Sequence, residues 1–334
     1  MSWRLGLVWA WGWPILAGIL MLALLGAPFC VEAQQTRLYR IGVVLQGGPY
    51  SAAIEGLRDG LRELGLEEGR QFRLDVRDVK GDLRQVAAAA RRLEEQRVDL
   101  IYAIATSVTL EAKRATNAVP IVFYVGTDPV AVGLVESIRK PGGRLTGIHG
   151  QTGDLTVKRL ELLKEMLPRL RRVVTFYSPD NPVARQSVTA ARDAARQLKV
   201  ELVERAVVSV EALLTSLHAL RPGEVDALLF VSDAMVNSQE ELILDTAKAK
   251  KLPTMLPYSA SVPKAALASY GESYYTLGRL SAKHVQRVLL GAEPGNLPVE
   301  QTDRIHFIIN LKTAKALGLM IPSSVLVRAD QVVE

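Results

Sequence analysis

The chain predicts an α/β protein built as two Rossmann-like lobes with parallel sheets joined by a hinge. Three observations carry this expectation. Short β-branched runs bounded by turns alternate with amphipathic helical stripes from Tyr39 onward. The alternation starts afresh at Arg171. The second round also keeps step with the first: Val173 follows Ile41, Asp226 follows Asp99 and Pro253 follows Pro120, each by about 130 residues. One continuous sheet with so many strands is unusual in a compact domain, so two successive halves are the economical solution.

The segment before the first strand sets the compartment. Residues 5–31 carry no charge, Arg4 and the amino terminus supply a positive start, and Ile15 to Leu25 is an apolar stretch bracketed by Pro14, Gly26 and Pro28. "VEA" at Val31 to Ala33 offers small residues where a signal peptidase reads, so residues 1–33 are expected to be a signal peptide cut near Ala33. A retained membrane anchor is the first alternative, because the uncharged run is long enough to span a bilayer. Lipid attachment at Cys30 is the second, against which Phe29 is bulky where such a site wants a small residue. Cleavage would leave about 300 residues, enough for two lobes with cores of their own. Cys30 is the only cysteine. A periplasmic or otherwise extracytoplasmic chain without it has no disulfide, thiolate zinc site or thiol catalyst.

From Tyr39 the elements follow in order. "YRIGVVLQG" is a strand, and Ile54, Leu57, Leu61 and Leu64 recur at helical spacing. "QFRLDVRDV" alternates as a strand, then Leu83, Val86, Ala87, Ala90 and Leu93 form a helical stripe. "DLIYAIA" and "PIVFYV" are buried strands around the helix "SVTLEAKRATNA". The second round runs "RRVVTFY", a helix from Ala184 to Leu198, "VELVERAV", a helix through Leu213, Leu217 and Leu220, "VDALLFVSD", the helix "SQEELILDTAKAKK" and the strand "LPTMLPYS". Apolar strands of this kind, separated by helices, imply parallel sheets covered on both faces. The tail adds the strand "AALASYG", the helix "YTLGRLSAKHVQRVLLG", the turn-rich "AEPGNLPVEQTD", the strand "RIHFIIN" and the helix "KTAKALG". The chain is expected to return to the first lobe near Ala265 and to cross again near Pro298. The N-lobe is then 37–148 completed by about 265–297, and the C-lobe is 149–264 completed by about 298–334.

The formal charge of +6 is spread along helices and mixed with Glu and Asp, which marks solvated faces rather than a nucleic-acid surface. Ligands of open α/β sheets bind beyond the carboxyl ends of the strands, so both lobes should turn those ends toward one cleft. After the first strand, Gly47 and Gly48 permit close backbone approach, Tyr50 follows, and Ser51 can cap a helix whose free N–H groups attract an anion. Neither a GxGxxG fingerprint nor a P-loop is present, so no nucleotide cofactor is expected. Thr106 and Ser107 follow the third strand, and Asp128 sits before Pro129 after the fourth. The second half contributes Ser178, Asp180 and Asn181, then Ser232 and Asp233, then Tyr258, and the tail contributes Tyr270. Each has an ordinary structural alternative: helix caps for the hydroxyls and carboxylates, core packing for the tyrosines. A carboxylate such as Asp233 at the end of an apolar strand must be solvated by the cleft, paired, or used as a cap.

Catalytic constellations are scarce. His149, His218, His284 and His306 have no ligand spacing, so no metal is expected, and neither G-x-S-x-G nor H-E-x-x-H occurs. A small-solute-binding protein is therefore favoured over an enzyme. The alternatives are an exported two-lobed enzyme and a sensory module.

The chain resembles the ABC-transporter substrate-binding protein family with the type I periplasmic-binding fold, the group that includes tryptophan-binding, TrpX-like lipoproteins. The resemblance runs from Tyr39 to Glu334. It rests on "VPIVFYVGTDPVAVGLVESIRKPGGRLTGI", "KRLELLKEMLP", "ASYGES" and above all "LPVEQTDRIHFIINLKTAKALGLMIPSSVLVRADQVVE". It implies a small-molecule solute, an amino acid or related carboxylate, held between lobes and delivered by a monomer to a membrane permease with a cytoplasmic ATPase. Asp128 and Tyr270 fall in recognisable family segments. The first turn departs from the family's Ser-Pro-like pattern, reading "GGPYS" here.

Overall fold

The computed structural model describes residues 37–150, 155–259, 265–302 and 304–334. The expected signal segment and Cys30 lie outside the described residues.

The first half runs β1 (Tyr39–Leu45), α1 (Ser51–Glu63), β2 (Phe72–Asp78), α2 (Val86–Glu95), β3 (Leu100–Ile104), α3 (Thr106–Ala115), β4 (Ile121–Val125) and β5 (Leu145–His149). The second runs α4 (Leu155–Met166), β6 (Arg172–Tyr177), α5 (Pro182–Leu198), β7 (Glu201–Ala206), α6 (Val210–His218), β8 (Ala227–Leu229), α7 (Ala234–Ser238), α8 (Glu240–Ala249) and β9 (Thr254–Tyr258). The tail adds β10 (Ala268–Glu272), α9 (Tyr274–Leu289), β11 (Glu300–Gln301), β12 (His306–Asn310), α10 (Leu311–Ala316), α11 (Ser323–Leu326) and β13 (Gln331–Val333).

These strands form two sheets, ordered β11-β5-β4-β3-β1-β2 and β13-β12-β10-β9-β8-β6-β7. Every pairing is parallel except that of β10 with β12. The central strands β3, β4 and β9 are buried along their whole length, as sheets covered by helices on both faces require. The edge strands β2 and β7 keep Arg73, Asp75, Arg77, Glu201 and Glu204 and bury little.

The tail corrects one expectation. Ala268–Glu272 does not return to the first lobe. Tyr270 pairs with Phe307, and Ala268 with Met255, so β10 lies inside the second sheet. The crossing falls at Ser273, after which α9 packs on α1. The glycines of both helices explain that seat. A Cβ on Gly278 would lie 1.9 Å from the Ala53 carbonyl oxygen, and one on Gly56 would lie 1.9 Å from that of Tyr275. The helix backbones therefore touch where only hydrogen atoms intervene. Glu300 and Gln301, read as turn, pair with Ile148 and His149 and extend the first sheet. The chain crosses back between Gln301 and His306. The expected helix over 238–251 forms as α8 from Glu240, with the short α7 just before it.

A continuous buried apolar cluster runs from Ile41 and Leu57 in the first lobe, through Tyr50, Tyr274 and Tyr258, to Val174 and Leu228 in the second. The two sheets thus meet across the cleft in a closed arrangement. Leu163, Met166, Ala268 and Phe307 form a separate core on the far face of the second sheet.

Candidate ligand-binding site

The segments after the carboxyl ends of β3 and β4 meet those after β6 and β8 around a cavity of about 30 Å³. Ala105, which ends the β3 connection, has φ +91°, a region that residues with a Cβ rarely adopt, and it lines this cavity. Helix α3 starts at the next residue with no side-chain cap on its first turn. Thr106 and Ser107 are both buried in the cavity wall. Thr106 Oγ1 accepts the Gly126 N–H (3.2 Å), and Ser107 Oγ donates to Gln46 Oε1 (3.2 Å). An uncapped helix start in a buried pocket wall offers amides and positive potential to an anion.

Tyr50, Tyr124 and Tyr274 line the same cavity, and Tyr258 lies behind Tyr274. The Tyr274 ring lies 4.6 Å from that of Tyr50, 5.2 Å from Tyr258 and 6.0 Å, edge-on, from Tyr124. Burial pushes the Tyr50 phenol up to about 12 and the other three well above the ordinary tyrosine range, so all four are neutral at physiological pH. Tyr124, from the first lobe, donates to Glu272 Oε2 of the second at 2.6 Å. Burial raises the Glu272 carboxyl to about 7, against the opposing pull of that hydrogen bond and of the Arg159 charge. Arg159 is fully buried and donates to the Tyr270 (2.7 Å) and Pro257 (3.4 Å) carbonyls and to Thr156 Oγ1 (3.2 Å). Burial lowers it to about 10, so it stays charged.

Ser232 Oγ, in the cavity wall, is buried without a hydrogen-bond partner. Buried polar atoms are normally satisfied, so an unpaired hydroxyl in a cavity wall points to a polar guest. Among the described residues there is no cluster of three or more His, Cys, Asp or Glu able to hold a metal ion.

Of the residues expected from sequence, the structure brings Tyr50, Thr106, Ser107 and Asn181 to the cavity wall, and Tyr258 behind Tyr274. Gly47 and Gly48 form the first turn with φ +80° and +59°. Gly48 lies against the backbone of Asn237 and Ser238, so it serves the approach of the lobes rather than an anion. Ser178 and Asp180 line the mouth of the cleft, an opening of about 690 Å³ that begins at Ser107 and Asn181 and is walled by Lys80, Asp82, Arg84, Glu111 and Glu211.

Three residues are used differently from the expectation, and a fourth, Asp233, lines the cleft mouth while serving as a cap. Ser51 is exposed and donates to the Gly48 carbonyl. Asp128 is exposed and accepts from Val130 N–H at 2.8 Å, capping its own turn. Asp233 is fully buried, accepting from Val236 N–H (3.0 Å) to cap α7 and from Ser178 N–H (2.8 Å) to fasten the neighbouring loop. Tyr270 points to the other face of its sheet and packs edge-on against Phe307 at 6.1 Å. Strand alternation decides this last case: with Tyr270 on one face, Glu272 two residues on is redirected by an irregularity in the β9–β10 register.

Sequence reasoning missed Tyr124, Arg159, Glu272 and Tyr274. The available signals were a tyrosine within the apolar "IVFYV" and an arginine on the apolar stripe of "TVKRLELL".

A sequence model of the family described as "ABC transporter substrate binding protein" matches residues 40–333. A tyrosine-binding protein of Clostridioides difficile (strain R20291) is 30% identical over 269 residues, covering 80% of this chain and 76% of the relative. A Streptococcus pneumoniae domain solved with L-Trp is 27% identical, with a TM-score of 0.78 over 89% of this chain and all of the other. A ligand-free, open substrate-binding protein of Clostridium difficile, also 27% identical, gives 0.58 over 89% of this chain and 99% of the other. At equal identity, the arrangement of this chain is much nearer the ligand-bound relative than the open one, in keeping with lobes that touch.

Proposed function

The chain belongs to the ABC transporter substrate-binding protein family, and from that premise we propose that it captures an amino acid or closely related carboxylate between its sheets, outside the cytoplasm, and delivers it to a membrane permease driven by an ATPase. The observation that carries the ligand class is the uncapped start of α3 at Thr106 and Ser107, opening into a cavity whose walls include Tyr50, Tyr124, Tyr274 and the unpaired Ser232 hydroxyl. The ligand carboxylate takes the amides of that first turn. Relatives named for tyrosine and tryptophan support an amino acid. Ligand bridging both lobes shifts the population toward the closed form, which the permease reads. Export by cleavage near Ala33 belongs to the same proposal.

Ser107→Asp tests it. A carboxylate in the first turn of a helix is tolerated or mildly stabilising, but here it occupies the anion position. Calorimetry with the amino acids that raise the melting temperature of the wild type is expected to show affinity down by about tenfold or more, about 1.4 kcal/mol, with the fold retained. Unchanged affinity removes the carboxylate from this helix.

A further inference from the structure

We infer that Gln46 gives the two hydroxyls at the start of α3 opposite polarity, so that the pair reads an α-amino acid: Thr106 donates to the carboxylate and Ser107 accepts from the ammonium beside it. The inference rests on the proposed function and narrows its ligand class from carboxylates in general to those with a neighbouring amine. A chain of hydrogen bonds runs across three adjacent strand ends, since β2, β1 and β3 are neighbours in the first sheet. Gln46, directly after β1, is 1% exposed. Its Nε2 donates to the carbonyl of Gly81, after β2, at 3.0 Å, and its Oε1 accepts from Ser107 Oγ, after β3, at 3.2 Å. The Gly81 carbonyl can only accept, so the amide has to turn its nitrogen that way and its oxygen toward Ser107. The Ser107 proton is thereby committed, and what the hydroxyl has left to offer is a lone pair.

Thr106 is the converse case. Its Oγ1 accepts the Gly126 N–H at 3.2 Å and donates to no atom among the described residues, although the residue is only 3% exposed. A buried hydroxyl proton calls for an acceptor, and a carboxylate on the adjoining amides supplies one. Both hydroxyls line the cavity. Among the described residues no acidic side chain lines it, so the ammonium has to find a neutral acceptor there. Asp233 is engaged as the α7 cap, and Glu272 accepts from Tyr124. Asn181 Oδ1 is taken up by the Val183 N–H at 3.1 Å. An acid without the amine would leave the Ser107 lone pair facing its own negative oxygens. Ser107 cannot turn its proton to them without stranding the buried Gln46 Oε1.

Calorimetry of each common L-amino acid beside its deaminated acid (tyrosine with hydroxyphenylpropionate, tryptophan with indolepropionate, leucine with isocaproate, glutamate with glutarate) tests this. The wild type is expected to bind at least one amino acid more tightly than its deaminated partner by about a hundredfold or more. Ser107→Ala, which removes only the hydroxyl, is expected to shrink that ratio by about tenfold or more. Gln46→Met, which frees the Ser107 proton for the carboxylate, is expected to shrink it likewise. Thr106→Val is expected to weaken both members of the pair and leave the ratio. A purely structural role would lower both affinities together, so the ratio is what separates the two. The inference is overturned, while the receptor reading stands, if deaminated acids bind as well as amino acids. The same holds if a folded Ser107→Ala or Gln46→Met keeps the wild-type ratio, or if Thr106→Val shifts it. If neither amino acids nor deaminated acids bind, both fall. Ser107→Ala alone is decisive if Gln46→Met does not fold.

Discussion

Glu272 places a carboxyl at the lobe boundary, buried, with the Tyr124 hydroxyl 2.6 Å away. Its environment favours the neutral form, mainly through burial, and the consequence for stability has a definite sign. The folded protein holds this proton up to about pH 7, whereas an unfolded glutamate releases it near 4.5. Folding therefore takes up a proton between those values. The stabilisation is fully present below about 4.5 and is lost as pH climbs through 7. Of the groups that act on it, Arg159 stays charged, and Tyr124 and Tyr274 stay neutral across that range. Denaturant unfolding at several pH values should thus separate wild type from Glu272→Gln. The stability difference between them is expected to move by about 3 kcal/mol against the wild type from pH 4 to pH 8. Parallel pH curves would show that this carboxyl ionises normally. Residues of this kind were hard to read from sequence. Thr106, Ser107 and Asn181 follow strands and open helices, so their place in the cavity is local and legible. Glu272 and Tyr274 straddle a crossing, so their partners depend on which sheet β10 joins.

Helices α1 and α9 show how an element can be legible while its address is not. The stripes of both helices are plain in sequence, and both helices form. That α9 belongs beside α1, more than two hundred positions away, rests on bare backbone at Gly56 and Gly278, and glycine in a helix reads only as a weak point. Intrinsic preference says that Gly278→Ala should stabilise the helix by about 1 kcal/mol. The contact says the opposite, because the new methyl would sit 1.9 Å from the Ala53 carbonyl oxygen, and neither backbone is a flexible group that can yield cheaply. Overpacking of this sort typically costs about 1–3 kcal/mol or more, so the contact wins. Thermal unfolding is expected to show a melting temperature lower by several degrees, and a rise would refute the close approach. Tyr274 opens α9, so the same change is expected to disturb the ring cluster as well. The edge strand β11 was lost for a related reason: two residues in a Pro- and Gly-rich stretch have no periodicity to detect, and only their pairing with Ile148 and His149 makes them a strand.

At the scale of the whole molecule, function requires that the two sheets be able to part and meet again. The repeat at about 130 residues made two halves legible, but the depth of their contact is a tertiary property. Gly48 is where that depth can be tested. Its φ of +59° and its position against Asn237 and Ser238 leave no room for a side chain when the lobes are closed. With the lobes apart, the spatial restriction disappears and only the backbone preference remains, a cost of about 2 kcal/mol for a β-branched residue at this φ. Gly48→Val should therefore leave both lobes folded while opposing closure. In small-angle scattering, the wild type is expected to contract when its ligand is added, and the variant is expected to remain extended at the same ligand concentration. Calorimetry is expected to show affinity lower by about tenfold or more, because only the closed state makes the full set of contacts. If the variant contracts as the wild type does and binds as well, the meeting of the first turn with α7 is not a condition of capture, and closure must be limited elsewhere on the cleft.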